Sequence, residues 1–221
     1  MDQFYNAEIA ADKENALAEL QDKIEVGFTL IGCTAVEDKL QDEVPEKIAD
    51  FIKANIKVWM LTGDKLETAE NIGCSCKLIE DHFQKFFLFA DDDIVAKSGQ
   101  LKAAIDDLLS KDPMAQSCFL IEGKAVTKIL SDKNMSNIYI NDIMTRCSSV
   151  ICCRVSPKEK ADVVRLVKYY LGKITLAIGD GANDVNMIQE AHIGIGIYGK
   201  EGMRAVQSSD YAIPEFKALW R

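Results

Sequence analysis

The chain has 221 residues, of which 48% are apolar and only four are proline, so it is long and apolar enough for one large or two small globular domains and is not a disordered protein. Its formal net charge is −9. Phosphate backbones and anionic lipid surfaces select basic faces, so the acidic balance excludes nucleic acid as a general partner and does not favour docking on anionic lipid.

The cysteines point to a reducing compartment. There are seven, an odd number, and they show no regular framework spacing, so we expect free thiols in a cytosolic setting. Cys74-x-Cys76 lies near His82, but one residue between thiols is the wrong spacing for zinc. The chain shows no signal peptide at Met1 and no apolar run of the roughly 20 residues that a membrane helix needs, so we expect this segment not to span a membrane.

The first 80 residues alternate helix and strand patterns. The predicted elements are, in chain order, a helix over Ala7–Lys23, a β-rich run at Val26–Cys33, a helix from Pro45 to Asn55, a buried strand at Lys57–Leu61 and a helix from Lys65 to about Cys76.

The middle of the chain, residues 81–147, is predicted to be a variable, peripheral region. It contains a strand-like KFFLFA (Lys85–Ala90), an acidic triplet Asp91–Asp93, a helix over Val95–Leu109 and a strand and turn at Cys118–Gly123. The sequence leaves open whether this region packs into the same core as the rest.

The last third returns to a regular strand–helix rhythm. It comprises a strand at Ser149–Cys153, a helix over Pro157–Leu171, a strand at Ile174–Ile178, a glycine-rich turn over Gly179–Asn186 with a short helix, and a strand at His192–Ile197. Short β-branched runs between helices predict a mainly parallel sheet with helices on both faces, an α/β fold. Ligands in such sheets bind beyond the carboxyl ends of the strands.

The segment IGDGANDVNMIQEA contains the strongest chemical signal. A buried strand brings Asp180 to the sheet edge, and Asp184 follows after a tight glycine turn. Two nearby carboxylates repel each other and favour a hard cation such as Mg²⁺, while Asn183 is suited to bond a phosphoryl oxygen or a water. A glycine turn with an acidic helix cap would explain the same residues, and for this motif alone the two readings are equally good.

The segment LTGDK (Leu61–Lys65) gives a second signal. Thr62 supplies a hydroxyl, the Gly63 amide is unobstructed, and a helix that begins directly afterwards would point its free N–H groups at an anion. By itself, the pattern favours a simple helix N-cap over a phosphate site.

Arg154 and Lys160 in CCRVSPKEK give the third signal. A helix that begins near Pro157 presents Lys160 in its first turn, where an ammonium can act as a point charge on phosphate. Taken alone, basic residues at a strand–helix junction are usually solvated surface.

Taken together, a strand-end threonine, a lysine opening a helix and a strand-end aspartate pair resemble motifs two, three and four of the haloacid-dehalogenase superfamily. Longer strings resemble P-type ATPases, and some resemble the phospholipid-transporting subfamily in particular. The strings that resemble P-type ATPases are MLTGDKLETAENIG (Met60–Gly73), ICCRVSPKEKADVVRLVK (Ile151–Lys168) and Thr175–Ile213. Those that resemble the subfamily are CRVSP (Cys153–Pro157), the GANDVNMIQEAHIGIGI run and VEDKLQDEVPE (Val36–Glu46).

The resemblance implies a Rossmann-like fold of the haloacid-dehalogenase type and assigns roles to matching positions. It implies catalytic roles for Lys160, Asp180 and Asp184, Mg²⁺ binding by Asp180 and Asp184, and contacts with nucleotide or phosphate by Thr62, Gly63, Asp64, Arg154, Lys160, Asn183 and Asp184.

The resemblance also implies what the parent protein does. It would use ATP and Mg²⁺ to phosphorylate an aspartate and hydrolyse it again, coupled to moving a phospholipid between membrane leaflets. The parent would be an integral membrane protein with this segment on the cytoplasmic side. Its partners would be the actuator, nucleotide-binding and membrane domains, the lipid substrate and an accessory membrane subunit.

Two family motifs are missing from the sequence. No Asp-Lys-Thr-Gly-Thr string, which carries the family's nucleophile, and no Asp-Gly-Glu-Thr string occurs in the 221 residues. We therefore expect residues 1–221 to form a partial phosphorylation domain, with 1–80 and 148–221 as its core, that lacks the first, nucleophile-bearing strand and is inactive alone.

Two alternatives remain open at this point. Asp91 and Asp93 follow a strand as Asp-x-Asp, which would suit a self-contained phosphatase of the dehalogenase type if the motif order were circularly permuted. The chain would otherwise be a non-catalytic module that binds Mg²⁺ or nucleotide.

Overall fold

The computed structural model describes residues 12–34, 39–199 and 203–220 of the chain. The chain divides into two compact units, one that ends at Lys39 and one that begins at Leu40.

The first unit contains one described helix, α1 (Lys13–Ile24). It confirms the C-terminal half of the helix predicted over Ala7–Lys23, while residues 7–11 lie outside the described part. The β-rich run at Val26–Cys33 does not form a strand: Val26, Leu30 and Ile31 are 68%, 89% and 100% exposed. The described part of this unit holds no strand that could pair with this run. The backbone of the run therefore has no partner with which to form a ladder of hydrogen bonds.

The second unit alternates helices and strands. Its helices are α2 (Val44–Lys53), α3 (Leu66–Ser75), α4 (Ile94–Lys111), α5 (Gly123–Ser131), α6 (Lys133–Ile138), α7 (Pro157–Leu171), α8 (Val185–Glu190) and α9 (Arg204–Gln207). Its strands are β1 (Trp59–Leu61), β2 (Gln84–Leu88), β3 (Ser117–Glu122), β4 (Ser149–Cys153), β5 (Leu176–Gly179), β6 (Ile193–Ile197) and β7 (Tyr211–Ile213).

The strands form two parallel sheets. The first has the order β1-β4-β3-β2 and the second the order β5-β6-β7. Every described pairing is parallel, with Leu61 beside Cys152 in the first sheet and Gly179 beside Gly196 in the second. The predicted α/β fold with a mainly parallel sheet is therefore confirmed, with its strands divided between two sheets in which β1 and β5 are edge strands.

Helices cover both faces of the first sheet. Phe119 and Cys152 belong to a cluster that includes Ile105 of α4 and other residues of α5 and α7. Their sequence neighbours Leu120 and Ile151 pack on the other side, with Ala69 of α3. Successive residues of a strand point to opposite faces, so β3 and β4 are buried on both sides and have continuous apolar sequences.

The middle region contributes to this core. Strands β2 and β3 form one side of the first sheet, and Leu101 and Ile129 of α4 and α5 lie in its largest cluster. The middle region, whose packing the sequence left open, therefore belongs to the same core. The domain boundaries drawn from the sequence stay a prediction.

Helix α7 packs against both sheets. Val163 lies in the cluster of Cys152 in the first sheet, and Val164 lies in a cluster with Ala177 of the second sheet and with Leu61 of β1. One helix therefore connects the edge strands β1 and β5 by apolar contacts.

Small residues let helices approach the second sheet closely. A Cβ placed at Gly194 would lie 2.7 Å from the Ile188 carbonyl oxygen, and one at Gly196 would lie 2.6 Å from the Val206 Cα. These glycines thus have a packing role beneath α8 and α9.

All seven cysteines are free, and five of them are buried, as the prediction of reduced thiols requires. Burial raises the pKa of Cys118 to about 12 and that of Cys153 to about 11, so both stay protonated at neutral pH. Within the described residues, none of the helices is both long and apolar enough to cross a membrane.

The close approach of α9 to β6 predicts the effect of a single methyl group. Gly196→Ala is expected to lower the free energy of unfolding by about 1–3 kcal/mol, because the new Cβ meets backbone atoms of Val206 that cannot move independently. Urea unfolding followed by circular dichroism measures the change.

Gly99→Ala is the matched control for this substitution. Gly99 lies exposed within α4 with no atom near a new Cβ, so its replacement should raise stability by roughly 0.5–1 kcal/mol. Equal effects of the two substitutions would contradict the packing role of Gly196.

Candidate functional site

The turn after β1 is built by its own side chains. Thr62 Oγ1 donates to Asp64 Oδ2 (2.6 Å) and accepts from the Asp64 backbone N–H (3.1 Å). Helix α3 begins directly afterwards, and Lys65 at its N-cap makes no side-chain capping bond. The first-turn N–H groups of a ten-residue helix therefore lie next to an exposed Gly63 and Asp64, an arrangement suited to an anion.

The turn after β1 is bonded to the turn after β4. The N–H of Val155 donates to the Thr62 carbonyl (3.1 Å), and the N–H of Arg154 donates to the Asp64 carbonyl (2.8 Å). These bonds extend the parallel pairing past the ends of the strands. Two of the three predicted site segments thus lie side by side at the carboxyl edge of the sheet.

Arg154 has an unusual backbone. Its φ is +52°, in the left-handed region that non-glycine residues seldom occupy. Its side chain is 60% exposed and its Nε lies 3.6 Å from Glu122 Oε1.

The start of α7 is fixed by a capping box. Ser156 Oγ accepts from the Glu159 N–H (3.3 Å), and Glu159 Oε2 accepts from the Ser156 N–H (2.8 Å). Although burial acts in the opposite direction, the hydrogen bonds from Ser156 and Thr127 hold the pKa of Glu159 below its ordinary value. The cap sets the position of the first helical turn and of Lys160 within it.

Lys160 and Asp184 form a buried ion pair. Lys160 Nζ donates to Asp184 Oδ1 at 2.7 Å, and both side chains are only 12% exposed. Asp184 Oδ2 also accepts from the Gly181 N–H (3.3 Å). A Cβ at Gly179 would collide with the Asp184 side chain, so the glycine turn makes room for this carboxylate. The pair brings the third predicted segment to the first turn of α7.

Asp180 and Asn183 are exposed beside this pair. In the described part of the chain, the Asp180 side chain takes part in no hydrogen bond or ion pair, and no group of three or more His, Cys, Asp or Glu side chains surrounds one point. Mg²⁺ commonly takes one or two carboxylates and completes its shell with water and substrate phosphate. The free carboxylate of Asp180 fits such an ion, and Asp184 is held within the same turn by its lysine.

The acidic triplet has local partners. Asp93 caps α4 by accepting from the Val95 N–H (2.9 Å), and Asp92 accepts from the Phe89 N–H (2.8 Å). These bonds account for two of the three carboxylates as turn and cap residues.

Three residues at the same edge were not found from the sequence. Glu122 lies beside Arg154, Gly123 lies beneath the Arg154 carbonyl, and Gly199 lies against Asp180, where an added Cβ would be 3.1 Å from the aspartate Cβ. For Glu122 and Gly123, the sequence signal was the predicted strand and turn at Cys118–Gly123, which end at the edge of the sheet where ligands bind.

Comparison with known proteins gives one consistent result. No family model matches the chain. It is 47% identical to a probable phospholipid-transporting ATPase 4 and 48% identical to a probable phospholipid-transporting ATPase 5 of Arabidopsis thaliana, in each case over 96% of this chain and 18% of the relative. It is 40% identical to the human phospholipid-transporting ATPase ID over 97% of the chain and 20% of the relative.

The chain is homologous to a segment of the phospholipid-transporting ATPases. The resemblance to this P-type ATPase subfamily is thereby confirmed, and with it the Rossmann-like fold of the haloacid-dehalogenase type. The chain spans about a fifth of the length of the curated relatives that it matches. The roles of the individual site residues stay predictions.

The Lys160–Asp184 pair predicts a large stability effect in this ATPase-like segment. Lys160→Met leaves the buried Asp184 carboxylate without its cation, and we expect a loss of about 3 kcal/mol in the free energy of unfolding. Asp184→Asn in the same chain should recover part of the loss, so the double-mutant cycle should show coupling.

Lys111→Met is the control, since Lys111 pairs with Asp107 on the surface with exposures of 71% and 62%. That change should cost less than about 1 kcal/mol in urea unfolding. An equal cost for Lys160→Met and Lys111→Met would show that the Lys160 pair does not stabilise the fold.

Proposed function

We propose that this chain is the phosphorylation-domain segment of an ATP-driven phospholipid-translocating P-type ATPase. The supporting observation is the meeting of Thr62–Asp64, Arg154 and the Lys160–Asp184 pair at one sheet edge, in a chain 40–48% identical to proteins named phospholipid-transporting ATPases. The parent would convert ATP, water and a phospholipid in one leaflet to ADP, phosphate and the lipid in the other, through an aspartyl-phosphate.

The residues have complementary roles in this proposal. Thr62, Gly63 and Asp64 receive phosphate and nucleotide groups at the start of α3, and Arg154 adds positive charge beside them. Lys160, held by Asp184, neutralises charge on the phosphoryl group. Phosphoryl transfer depends mainly on such positioning and charge neutralisation.

Asp180, Asp184 and Asn183 form the metal side of the proposed site. Asp180 would hold Mg²⁺ directly, with Asp184 and Asn183 ordering the ion's surroundings, the nucleotide and the attacking water. The bound ion would offset negative charge on the phosphate oxygens.

We further propose that the nucleophile-bearing strand comes from outside these 221 residues and lies between β1 and β5. The support is that β1 and β5 are both edge strands, that both sheets are parallel, and that α7 packs against both. A strand there would gain hydrogen bonds on both sides and join the two sheets. Its carboxyl end would bring an aspartate to the edge where Lys160 and Thr62 lie.

The other domains and partners follow from the parent. The phospholipid would be handled by a membrane domain, and this segment would work on the cytoplasmic side with the actuator and nucleotide-binding domains and an accessory membrane subunit.

Two rival functions can be distinguished by assay. They are a phosphatase using Asp91 and Asp93, and a non-catalytic module that binds Mg²⁺ or nucleotide. Hydrolysis of p-nitrophenyl phosphate that is lost in Asp91→Asn would favour the phosphatase.

The chain alone should form no phosphoenzyme. Incubation with radiolabelled ATP and Mg²⁺ is expected to leave no acid-stable, hydroxylamine-sensitive phosphate on it, because no Asp-Lys-Thr-Gly-Thr string is present to accept one. A full-length relative serves as the positive control. Acyl-phosphate on the 221-residue chain would refute this expectation.

A segment exchange tests the function itself. The matching segment of phospholipid-transporting ATPase 6 of Arabidopsis thaliana, 44% identical, would be replaced by this chain. The chimera should retain ATP-dependent phospholipid movement in reconstituted vesicles. Lys160→Met in the chimera should reduce the rate by about a hundredfold, since one lost charge at the reacting group has an effect of this size.

Lys111→Met in the same chimera is the control and should leave the rate unchanged. A correctly folded chimera that hydrolyses no ATP, or one that Lys160→Met does not slow, would argue against the proposed function.

A further inference from the structure

The carboxyl end of β3 contacts Arg154 in two ways. Glu122, the last residue of β3, lies beside the Arg154 side chain, and Gly123, the first residue of α5, lies under its backbone. Neither residue has a role in the site described so far.

The Glu122 carboxylate is a fixed group. Its side chain is only 13% exposed, and Oε2 accepts a hydrogen bond from the Ala90 N–H (2.8 Å), while Oε1 faces Arg154 Nε at 3.6 Å. Most surface ion pairs are weak because both partners must be ordered. Here one partner is already held by the backbone of the β2–α4 loop.

The backbone of Arg154 also contacts neighbouring segments. Its N–H donates to the Asp64 carbonyl at 2.8 Å, and its φ of +52° lies in the left-handed region. A Cβ at Gly123 would lie 2.6 Å from the Arg154 carbonyl oxygen and 2.9 Å from Glu159 Oε2. Only glycine allows α5 to begin this close to the loop.

A 60% exposed arginine without a partner would sample many rotamers. Ordering such a side chain when an anion binds costs free energy, and a group ordered in advance avoids that cost.

We propose that Glu122 is a positioning residue that holds the Arg154 guanidinium ready for the phosphate groups of a nucleotide at the Thr62–Asp64 turn. The identity of the ligand in this inference rests on the proposed function. The positioning of Arg154 by Glu122 rests only on the contacts described above. Glu122 acts through Arg154 and does not touch the ligand.

The test uses the full 221-residue chain and Glu122→Gln. The amide keeps the size of the side chain and can still accept from the Ala90 N–H, but it removes the charge that faces Arg154. Two readouts are measured: the NMR signal of the Arg154 Nε–Hε group without ligand, and the affinity for ADP with Mg²⁺ by calorimetry.

Glu190→Gln is the matched control. Glu190 is 17% exposed and pairs with Arg165 at 2.8 Å, so it forms a second glutamate–arginine pair, between α7 and α8, in which the glutamate is the more buried partner. Glu122→Asp, which keeps the charge but withdraws it by one methylene group, is the second variant if Glu122→Gln does not fold.

In Glu122→Gln the Arg154 signal should move to the position of a free arginine, and ADP affinity should fall about two- to fivefold, the size expected for one partly exposed pair. Glu190→Gln should change neither. An unchanged Arg154 signal would overturn the proposal, as would unchanged ADP affinity in a variant whose Arg154 signal has moved. If the unaltered chain binds no ADP, the proposed nucleotide site fails, and the NMR signal still decides whether Glu122 holds Arg154.

Discussion

The ion pair between Lys160 and Asp184 is the interaction on which the arrangement of the second unit depends. Among the described strands, no ladder of backbone hydrogen bonds joins the two sheets, and α7 and this pair connect them. Both side chains of the pair are only 12% exposed. Two charges this far from water are stable together only when their geometry is good, because burying either charge alone is strongly unfavourable. The pair therefore fixes the start of α7 relative to the β5 turn, and with it the spacing of the basic and acidic halves of the site.

Much of the second unit was predictable because its strands are buried on both faces. Continuous apolar runs such as Val150–Cys153, bounded by turn residues and followed by helical spacing, have few alternatives to a parallel strand. Pro157 gave the first residue of α7, since its ring suits a helix start. Strands in parallel sheets end at one edge, so the meeting of the turns after β1, β4 and β5 followed from the strand assignments.

Other features depend on contacts between distant residues and have no local signal. Strand β7 has three residues, two of them exposed, so no apolar run marks it. The left-handed backbone of Arg154 has no local signal, because its residue type alone predicts an ordinary conformation. Val26–Cys33 has the composition of a strand, yet composition cannot supply the neighbouring backbone that a strand requires. Glu122 was missed because its contact with Arg154 joins residues 32 positions apart.

The division into two sheets also bears on how the unit opens. Cooperative unfolding requires that hydrogen-bonded ladders or shared cores break together, and segments joined by few contacts open separately. Strands β5 and β7 are partly exposed, whereas β3 and β4 are almost entirely buried, so the amide protons of the sheet β5-β6-β7 should exchange with solvent before those of β3 and β4. The Asp180–Asp184 turn thus belongs to the more labile half. A binding partner inserted between β1 and β5 would slow that exchange, because the two sheets would then unfold together as one cooperative unit.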